Sequence, residues 1–342
     1  MGDGDSQREI DDAGSTVRMR QLDENGAARP TVPHLLAMEA LAPMRAPMPT
    51  PHHLVVPSAQ GGANATLTSM SGLEAGRVYS IDGDEIIIGR APTCHVWIDD
   101  ASVSRQHARI VRHTGDPFFL EDLGSTNGTF VGERRIARCQ LASGDRVQIG
   151  PSFLLRFAMI DVREERLQKD LFHAATRDPL SGLYNRRYFD ERLSAEVSRA
   201  RRGGAALTIF MLDLDQFKRI NDLHGHLAGD HVLREVSAHL AKMVRLEDVL
   251  ARYGGEEFVL LAPATDTEEA ILLGERLRAA VERLAIQIDA SGTTCITITI
   301  SIGVACLSEV DPHATPRELL ARADARLYRA KQTGRNRVSS VG

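Results

Sequence analysis

The hydrophobic pattern of this 342-residue sequence changes at two points, so the chain must contain parts that fold differently. From about residue 65 to residue 158, short apolar runs are separated by Gly, Asp and Ser turns and show no helical period. Beyond Asp178, apolar runs of strand length alternate with segments of helical period. Short, evenly spaced strands are typical of a β-sandwich, and alternating strands and helices of an α/β domain. We therefore predict a multi-domain protein with an all-β sandwich over residues 64–158 and an α/β domain over residues 177–342.

Residues 159–176 are predicted to form a helical linker between these two domains. Ile160, Leu167, Leu171 and Ala174 recur at spacings of seven, four and three, which places them in one apolar stripe of a charged helix. The stripe covers only about two heptads, so two interpretations stay open. The helix either pairs with a second chain as a coiled coil or packs on its own domain as a rigid spacer.

Residues 1–63 differ from the rest of the chain in composition. They contain no Phe, Trp or Tyr, and seven of the 14 prolines of the chain lie between Pro30 and Pro57. A segment so poor in aromatic residues and so rich in proline buries too little apolar surface to offset its chain entropy. We predict that it is a disordered tail.

Charge, apolar runs and cysteine content exclude several classes of protein. The 41 Lys and Arg residues against 46 Asp and Glu residues give a net charge of -5, which argues against binding of nucleic acid through bulk positive charge. No apolar run approaches the roughly 18 residues of a membrane span, and the acidic N-terminus is unlike a signal peptide. The four cysteines form no C-x-x-C pair, so neither a disulfide scaffold nor a zinc ribbon is expected. We expect a cytoplasmic protein with no nucleic-acid partner and no membrane span.

Three loops of the predicted sandwich carry polar groups suited to a phosphate. They are Gly89-Arg90, residues 104–107 (SRQH) and residues 124–129 (GSTNGT). Arginine offers a planar fork of donors for phosphate oxygens, and Ser and Thr hydroxyls complete the shell. Asparagine pairs with a peptide backbone, and the glycines permit tight turns.

Read together, IIIGRAPTCHVWIDDASVSRQHARI, DLGSTNGTFV and LASGDRVQIG resemble a forkhead-associated (FHA) domain, a family that binds phosphothreonine peptides. The resemblance implies that His107 is a buried strut. The alternative is a sandwich that no longer binds phosphate and serves only to dimerise. The implied phosphopeptide residues are Arg90 and Ser104 on the phosphate, Arg105 and Thr126 nearby, and Asn127 on the peptide backbone.

Two pairs of carboxylates follow or precede predicted buried strands of the second domain. Asp213 and Asp215 end the apolar run of residues 207–212 and point to the same face of a strand. Glu256 and Glu257 stand just before another apolar run. Such a cluster suits Mg²⁺, which proteins usually share with substrate phosphates. A lone pair of carboxylates in this pattern is more often a pair of solvated side chains near a turn.

The rest of the domain decides between these interpretations. RDPLSGLYNRRYF, MLDLDQFKRINDLHGHLAGD, RYGGEEFVLL, ITISIGVA and ADARLYRAKQTGRNRV resemble the successive motifs of a GGDEF domain in its GGEEF form, over about residues 177–340. GGDEF domains have a cyclase-like fold and are diguanylate cyclases, which condense two GTP into cyclic di-GMP and two pyrophosphates. The resemblance implies Mg²⁺, or Mn²⁺, at two ions per half-site, with Asp215 behind the ligands. The implied metal ligands are Asp213, the carbonyl of Leu214, Glu256 and Glu257; the GTP-binding residues are Asn221, His226, Asp230, Lys331 and Arg335; and Lys218 is catalytic together with Glu256 or Glu257 as the base.

Arg245 and Asp248 stand at the offset from the GGEEF signature where the family has an inhibitory product site. The resemblance implies that they bind cyclic di-GMP, with Arg276 or Arg278 completing the site. The other interpretation is a surface ion pair. Because the product is two-fold symmetric and each half-site holds one GTP, we also predict a homodimer with C₂ symmetry.

The order of the domains suggests an enzyme regulated by a phosphothreonine peptide. The peptide is either the chain's own tail, with Thr16 favoured over Thr31 and Thr50, or another protein, and in both cases an upstream Ser/Thr kinase is implied. Two alternatives from other classes are a catalytically inert receptor for cyclic di-GMP or phosphopeptide adaptor, and a scaffold that uses only the FHA half.

Overall fold

Two β-sheets pack face to face in the N-terminal part of the computed structural model, which describes residues 63–112, 117–288 and 294–341. The predicted tail, with Thr16, Thr31 and Thr50, lies outside the described residues except for Ala63. One sheet has the order β2-β1-β11-β10-β7-β8 and the other β4-β3-β5-β6-β9. The strands are β1 (Ala63–Ser69), β2 (Val78–Ser80), β3 (Glu85–Gly89), β4 (Val96–Trp97), β5 (Ala108–Arg112), β6 (Phe118–Asp122), β7 (Thr129–Val131), β8 (Arg134–Ile136), β9 (Arg138–Leu141), β10 (Arg146–Ile149) and β11 (Phe153–Asp161).

Alternating apolar residues of both sheets meet in one core. Leu67, Ile88, Leu120, Leu155 and Phe157 are all at most 1% exposed and belong to a single buried cluster. Burial of this kind is the main stabilising term of a sandwich, and it leaves the loops at the ends free to carry function. The prediction of an all-β sandwich is confirmed.

A helix, α1 (Val162–Thr176), follows the sandwich directly. It begins later than the predicted linker, which started at residue 159, because β11 continues to Asp161 and pairs with β1 from Leu155 to Asp161. Asp161 then caps the helix by accepting hydrogen bonds from the backbone N–H groups of Arg163 and Glu164. The N-cap therefore sets the change from strand to helix.

Helix α1 packs on its own sandwich, but not through the predicted apolar stripe. Its buried residues are Thr176, at the C-terminal end, and Glu165, whose carboxylate accepts hydrogen bonds from Asn64, Ser80 and Lys169. Leu167 and Leu171 are 58% and 61% exposed. The predicted stripe was wrong at Ile160, which is buried in β11, and its helical members Leu167, Leu171 and Ala174 are exposed because the polar anchor Glu165 takes the inner face.

The C-terminal part has a six-stranded mixed sheet with helices on both faces, in the order β12-β14-β15-β13-β18-β19, and a separate two-stranded sheet of β16 and β17. Helices α4 and α5 share one buried cluster with the sheet, and helices α2 and α6 share another. The predicted α/β class is confirmed. Its strands are β12 (Tyr184–Asn185), β13 (Leu207–Leu214), β14 (Val249–Gly254), β15 (Glu257–Pro263), β16 (Ile286–Gln287), β17 (Cys295–Ile296), β18 (Ile300–Cys306) and β19 (Val338–Ser339), and its helices are α2 (Arg186–Gly203), α3 (Phe217–His224), α4 (His226–Ala241), α5 (Thr267–Glu282) and α6 (Pro316–Gln332).

The two domains touch through polar side chains. Asp99 of the sandwich pairs with Arg199 of α2, and the hydroxyl of Tyr188 donates to Glu74 at 2.5 Å. A cleft of about 410 Å³ remains between the domains, lined by aromatic residues such as Trp97 and Tyr184. Among the helices in the described ranges, none has the length and apolar character needed to cross a bilayer.

Candidate functional site

The carboxylates singled out in the sequence meet at one edge of the second sheet. Asp213 of β13 lies opposite Glu257 of β15 in the antiparallel ladder. The backbone N–H of Leu214 donates to the carbonyl of Glu256 at 3.3 Å, so the next residues are paired as well. Asp213 is only 5% exposed. The structure therefore brings together all four predicted metal ligands.

A lysine from the far end of the chain neutralises part of this negative charge. Nζ of Lys331, near the end of α6, lies 2.7 Å from Oδ2 of Asp213. Burial raises the pKa of Asp213, and the hydrogen bond from Lys331 opposes that rise. Burial also raises the pKa of Glu256 and of Glu257, and the negative charge of Asp213 adds to both shifts. The cluster of carboxylates at the end of β13 and the start of β15 therefore favours a bound cation.

Asp215 has a different role from Asp213. Its two carboxylate oxygens accept hydrogen bonds from the hydroxyls of Thr299 and Ser301 and from the backbone N–H of Asn336. Arg335 and Asn336 both have positive φ, at 61° and 45°, which is uncommon for residues other than glycine. Asp215 thus holds the segment after α6 in its turn, which agrees with a place behind the ligands.

The donor set fits a hard cation whose remaining ligands come from the substrate. Within residues 63–112, 117–288 and 294–341, no three His, Cys, Asp or Glu side chains form a group able to hold a metal by themselves. Mg²⁺ does not need such a group, because it keeps waters and substrate phosphates in its shell beside one or two carboxylates. Asp213, one of the adjacent glutamates and the Leu214 carbonyl meet that requirement.

The predicted guanine-binding residues come from two neighbouring helices. Asn221 on α3 lies against Gly229 on α4, so closely that a Cβ at residue 229 would overlap Oδ1 of Asn221. Asp230 follows directly and is half-buried, whereas His226 is exposed. Lys218 lies one turn before Asn221 on α3 and is exposed. Asn221 and Asp230 therefore lie at the contact between α3 and α4.

Two of the three cations predicted to hold phosphates, Lys331 and Arg335, have different surroundings. Lys331 pairs with Asp213, whereas the exposed Arg335 lines a cleft of about 550 Å³ beside α3. Arg219 lines the same cleft. Sequence reasoning missed Arg219, and only its position next to Lys218 could have drawn attention to it.

The predicted inhibitory residues line a small cavity of about 280 Å³. The backbone N–H of Arg245 donates to Oδ2 of Asp248, whose Oδ1 is buried without a hydrogen-bond partner. Burial raises the pKa of Asp248. Arg276 lines this cavity, whereas Arg278 forms ion pairs with Glu275 and Glu282. Of Arg276 and Arg278, the two candidates from the sequence, Arg276 is the one that lines the cavity with Arg245 and Asp248.

At one end of the sandwich, a buried histidine joins the polar loops. His107 is 0% exposed; Nδ1 accepts from the backbone N–H of Ser104 at 3.1 Å, and Nε2 lies 3.0 Å from the carbonyl of Gly128. The backbone N–H of Arg90 donates to the carbonyl of Ser104 at 3.0 Å. A Cβ at Gly89 would overlap the carbonyl of Arg105, so glycine is needed there.

The third loop is tied to the second. The backbone N–H of Thr126 donates to Oγ of Ser104 at 3.2 Å, and Nδ2 of Asn127 donates to the carbonyl of Ser102 at 2.7 Å. Asp122, which the sequence analysis did not single out, accepts from the backbone N–H and hydroxyl of Ser125 and from the hydroxyl of Thr129. The structure therefore gathers the five predicted phosphopeptide residues at one end of the sandwich, where Arg90, Arg105, Thr126 and Asn127 are exposed and Ser104 is half-buried.

Two parts of the chain match models of known protein families. Residues 86–150 match the family model of the FHA domain, and residues 175–337 match the family model described as "Diguanylate cyclase, GGDEF domain".

Individual proteins match the chain only in part. The chain is 44% identical over 176 residues to "Response regulator PleD" of Caulobacter vibrioides, which covers 50% of this chain and 38% of that protein. It is 44% identical over 170 residues to "Diguanylate cyclase DgcP" of Pseudomonas aeruginosa, which covers 50% of this chain and 24% of that protein. A solved structure of the coiled coil and GGDEF domain of DgcB from Caulobacter crescentus, in complex with c-di-GMP, is 31% identical, covers 52% of this chain and 92% of that chain, and has a TM-score of 0.49. The chain thus spans less than half the length of these two curated relatives.

Proposed function

Because residues 86–150 form an FHA domain and residues 175–337 a GGDEF domain, we propose that this chain is a diguanylate cyclase regulated through phosphothreonine. The observation that carries the proposal is the cross-strand pair of Asp213 and Glu257 with Lys331 on the Asp213 carboxylate. The pair supports the proposal because one buried acid, one half-buried acid and one cation lie together where the triphosphate and metal are proposed to bind. An inert receptor would not need to keep this arrangement.

The reaction joins two GTP molecules in two identical steps. In each step, the 3′-hydroxyl oxygen of one GTP forms a bond to the α-phosphorus of the other, and the bond from that phosphorus to the β-phosphate oxygen breaks. Pyrophosphate leaves, and Glu256 or Glu257 accepts the hydroxyl proton. Since one half-site presents one GTP, two GGDEF domains must face each other, which requires a homodimer.

Each half-site residue has a role that its position supports. Asp213, Glu256, Glu257 and the Leu214 carbonyl would hold two Mg²⁺ or Mn²⁺ ions, which polarise the α-phosphate and lower the pKa of the attacking hydroxyl. Lys331, already in the site on Asp213, offsets the charge that develops on the phosphates. The remaining residues follow the same logic: Asn221, Asp230 and His226 bind guanine, and Lys218 and Arg335 bind phosphate.

Incubation of the full chain with GTP and MgCl₂, followed by chromatography of the nucleotides, tests the reaction. We expect the wild type to form cyclic di-GMP, the Glu257→Ala variant to form none, and Glu235→Ala, which alters an exposed glutamate of α4, to match the wild type. Absence of product from the wild type, both alone and with a phosphothreonine peptide, would leave the inert receptor as the function.

We place product inhibition at the cavity of Arg245, Asp248 and Arg276. An unpaired, buried carboxylate oxygen beside two arginines suits a ligand that carries both guanine N–H donors and phosphates. Arg245→Ala is expected to raise the plateau of product in a time course. Arg278→Ala, whose side chain pairs with Glu275 and Glu282 instead, is the matched control and should keep the wild-type plateau.

We assign the input to a phosphothreonine peptide at Arg90, Ser104, Arg105, Thr126 and Asn127. The hydrogen bonds through His107 support this assignment, because they hold the loops together before any peptide binds. The peptide comes from the chain's own tail or from another protein after an upstream kinase has acted. Binding of a phosphothreonine peptide by the wild type, and its loss in Arg90→Ala, would be the supporting result.

A further inference from the structure

A loop of the FHA domain forms an ion pair with a helix of the GGDEF domain through one carboxylate. Asp99 receives a two-pronged ion pair from Arg199 of α2, with Nη1 2.5 Å from Oδ2 and Nη2 2.8 Å from Oδ1. Nη1 also donates to the backbone carbonyl of Asp99 at 3.3 Å. Arg192, two turns earlier on α2, lies 3.4 Å from Oδ2. The contact is a fork-to-fork pair, the strongest geometry for an arginine and a carboxylate.

Asp99 belongs to the same loop as the proposed phosphate-binding Ser104 and Arg105. The loop is braced inside: Oδ1 of Asp100 accepts from the backbone N–H and hydroxyl of Ser102, and the backbone N–H of Val103 donates to the carbonyl of Asp100. Asp99 and Ser104 therefore lie at the two ends of one internally hydrogen-bonded loop.

Asp99 is also close to Arg90, the other proposed phosphate ligand. Strands β3 and β4 run parallel, with Gly89 opposite Trp97. The backbone N–H of Ile98 donates to the carbonyl of Gly89 at 3.0 Å, and Nε1 of Trp97 donates to the carbonyl of Arg90 at 3.2 Å. Arg90 and Asp99 thus leave two adjacent strands at the same end.

Arg90 and Arg199 line a single cleft of about 270 Å³, together with Asp99. The side chain of Arg199 is 41% exposed, whereas that of Arg192 is 15% exposed and also pairs with Glu196 at 3.0 Å. Of the two arginines on α2, Arg199 is therefore the one that a ligand in the cleft can reach. A guanidinium fork binds phosphate and carboxylate oxygens in the same two-pronged way.

We propose that Arg199 of the GGDEF domain is an additional phosphate ligand of the peptide bound to the FHA domain, and that Asp99 occupies it in the peptide-free chain. The inference rests on the proposed binding of phosphothreonine by the FHA loops. The phosphate carries more negative charge than a carboxylate, so it displaces Asp99 from Arg199. The peptide then spans both domains, and the clamp between the loop and α2 opens as the peptide binds.

The test replaces each partner of the Asp99–Arg199 ion pair separately. The probe is the strongest binder selected by the wild-type chain from a library of phosphothreonine peptides with random flanks, and its affinity for each full-length variant is measured by fluorescence anisotropy. Arg199→Gln is expected to weaken binding roughly tenfold, because it removes a charge-assisted phosphate contact. Asp99→Asn is expected to strengthen binding several-fold, because it removes the competitor. Arg202→Gln, an exposed arginine on the same helix, should match the wild type.

A merely structural clamp predicts another result. If Asp99 and Arg199 only held the domains together, both variants would break the same contact and shift the affinity in the same direction. A shift of the same sign, or Arg199→Gln binding like Arg202→Gln, would overturn the proposal. Because Asp99→Asn breaks the same ion pair, tighter binding by it also shows that loss in Arg199→Gln is not a folding defect. The proposed input itself fails if the wild type selects no peptide or if Arg90→Ala binds as the wild type does.

Discussion

Gly229 lies where α4 comes closest to the side chain of Asn221. A Cβ at residue 229 would overlap Oδ1 of Asn221 and would lie 3.1 Å from the ring of Phe217. Phe217 belongs to the buried core, so the short Asn221 side chain is the group that must move. A substitution at this glycine therefore acts on the proposed guanine contact rather than on the fold.

We expect Gly229→Ala to raise the KM for GTP roughly tenfold while the chain stays folded, because one substrate hydrogen bond is misplaced. Initial rates over a range of GTP concentrations measure this. The control is Gly203→Ala, since a Cβ there meets no atom within 4 Å. An unchanged KM in Gly229→Ala would show that Asn221 does not contact the substrate.

At the scale of elements, α1 is held on the sandwich by a charged residue. Burial raises the pKa of Glu165, but hydrogen bonds from Lys169, Ser80 and Asn64 outweigh that effect and lower the pKa to about 2. A carboxylate whose folded pKa lies below its ordinary value of 4.5 stabilises the fold above that value, and the stabilisation is lost as the pH falls toward 2. The hydrogen-bonded Glu165 carboxylate therefore stabilises the packing of α1 on the sandwich at neutral pH and loses this effect in acid.

Glu165→Gln should lower the free energy of unfolding of the FHA domain by about 2 kcal/mol at pH 7. The difference from the wild type should shrink as the pH falls from 5 toward 2. Urea unfolding at several pH values measures both effects. Glu164→Gln, on the same turn but exposed, should follow the wild type at each pH. Parallel pH curves for the wild type and Glu165→Gln would contradict the anchor.

Helix α6 carries Lys331 to Asp213 in the proposed active site and packs against a glycine of β18. A Cβ at Gly303 would overlap the backbone carbonyl of Ala323 and the backbone nitrogen of Leu327. Since neither backbone atom can rotate away, the whole helix would have to shift.

Gly303→Ala is expected to destabilise the GGDEF domain by about 3 kcal/mol or more and to remove most of its activity, because Lys331 moves with α6. Thermal unfolding and cyclic di-GMP synthesis are the two measurements, with Gly203→Ala as control. A stable, active Gly303→Ala variant would mean that α6 adjusts without moving Lys331.

For the molecule as a whole, the exposed leucines of α1 form the surface on which we expect the proposed homodimer to pair. Leu167 and Leu171 lie one turn apart, 58% and 61% exposed, and helix α1 leads directly into the GGDEF domain. Pairing of this helix with its copy would bring two half-sites close enough to meet.

We expect replacement of both leucines by glutamine to leave the free energy of unfolding of the monomer unchanged within about 0.5 kcal/mol. Specific activity at low protein concentration should fall about tenfold and recover as the concentration rises. Sedimentation and activity measured over the same concentrations test this, with Arg166→Gln as control. Equal activity of the double variant and the wild type at every concentration would exclude α1 as the pairing surface.

The succession of domains and the position of each motif within them could be predicted from the amino-acid sequence. The strands of the sandwich, the buried strand that ends in Asp213 and the GGEEF turn are local patterns, and a local period specifies its element directly. The predicted metal ligands lie together because one apolar run ends in a carboxylate, the other begins with two, and β13 and β15 pair antiparallel. The same holds for the glycines and polar residues at the loop tips.

The contacts between distant side chains could not be predicted in this way, because they depend on the packing of the folded chain. Lys331 on Asp213, Asp99 on Arg199, Arg276 rather than Arg278 beside Arg245, and the outward stripe of α1 have no signal in the spacing of residues. Each depends on how helices and sheets of different parts of the chain pack, and on which of several charged residues the packing leaves within reach. A charge on a helix surface can pair with any opposite charge that arrives, so its partner is set by the packed fold and not by the local sequence.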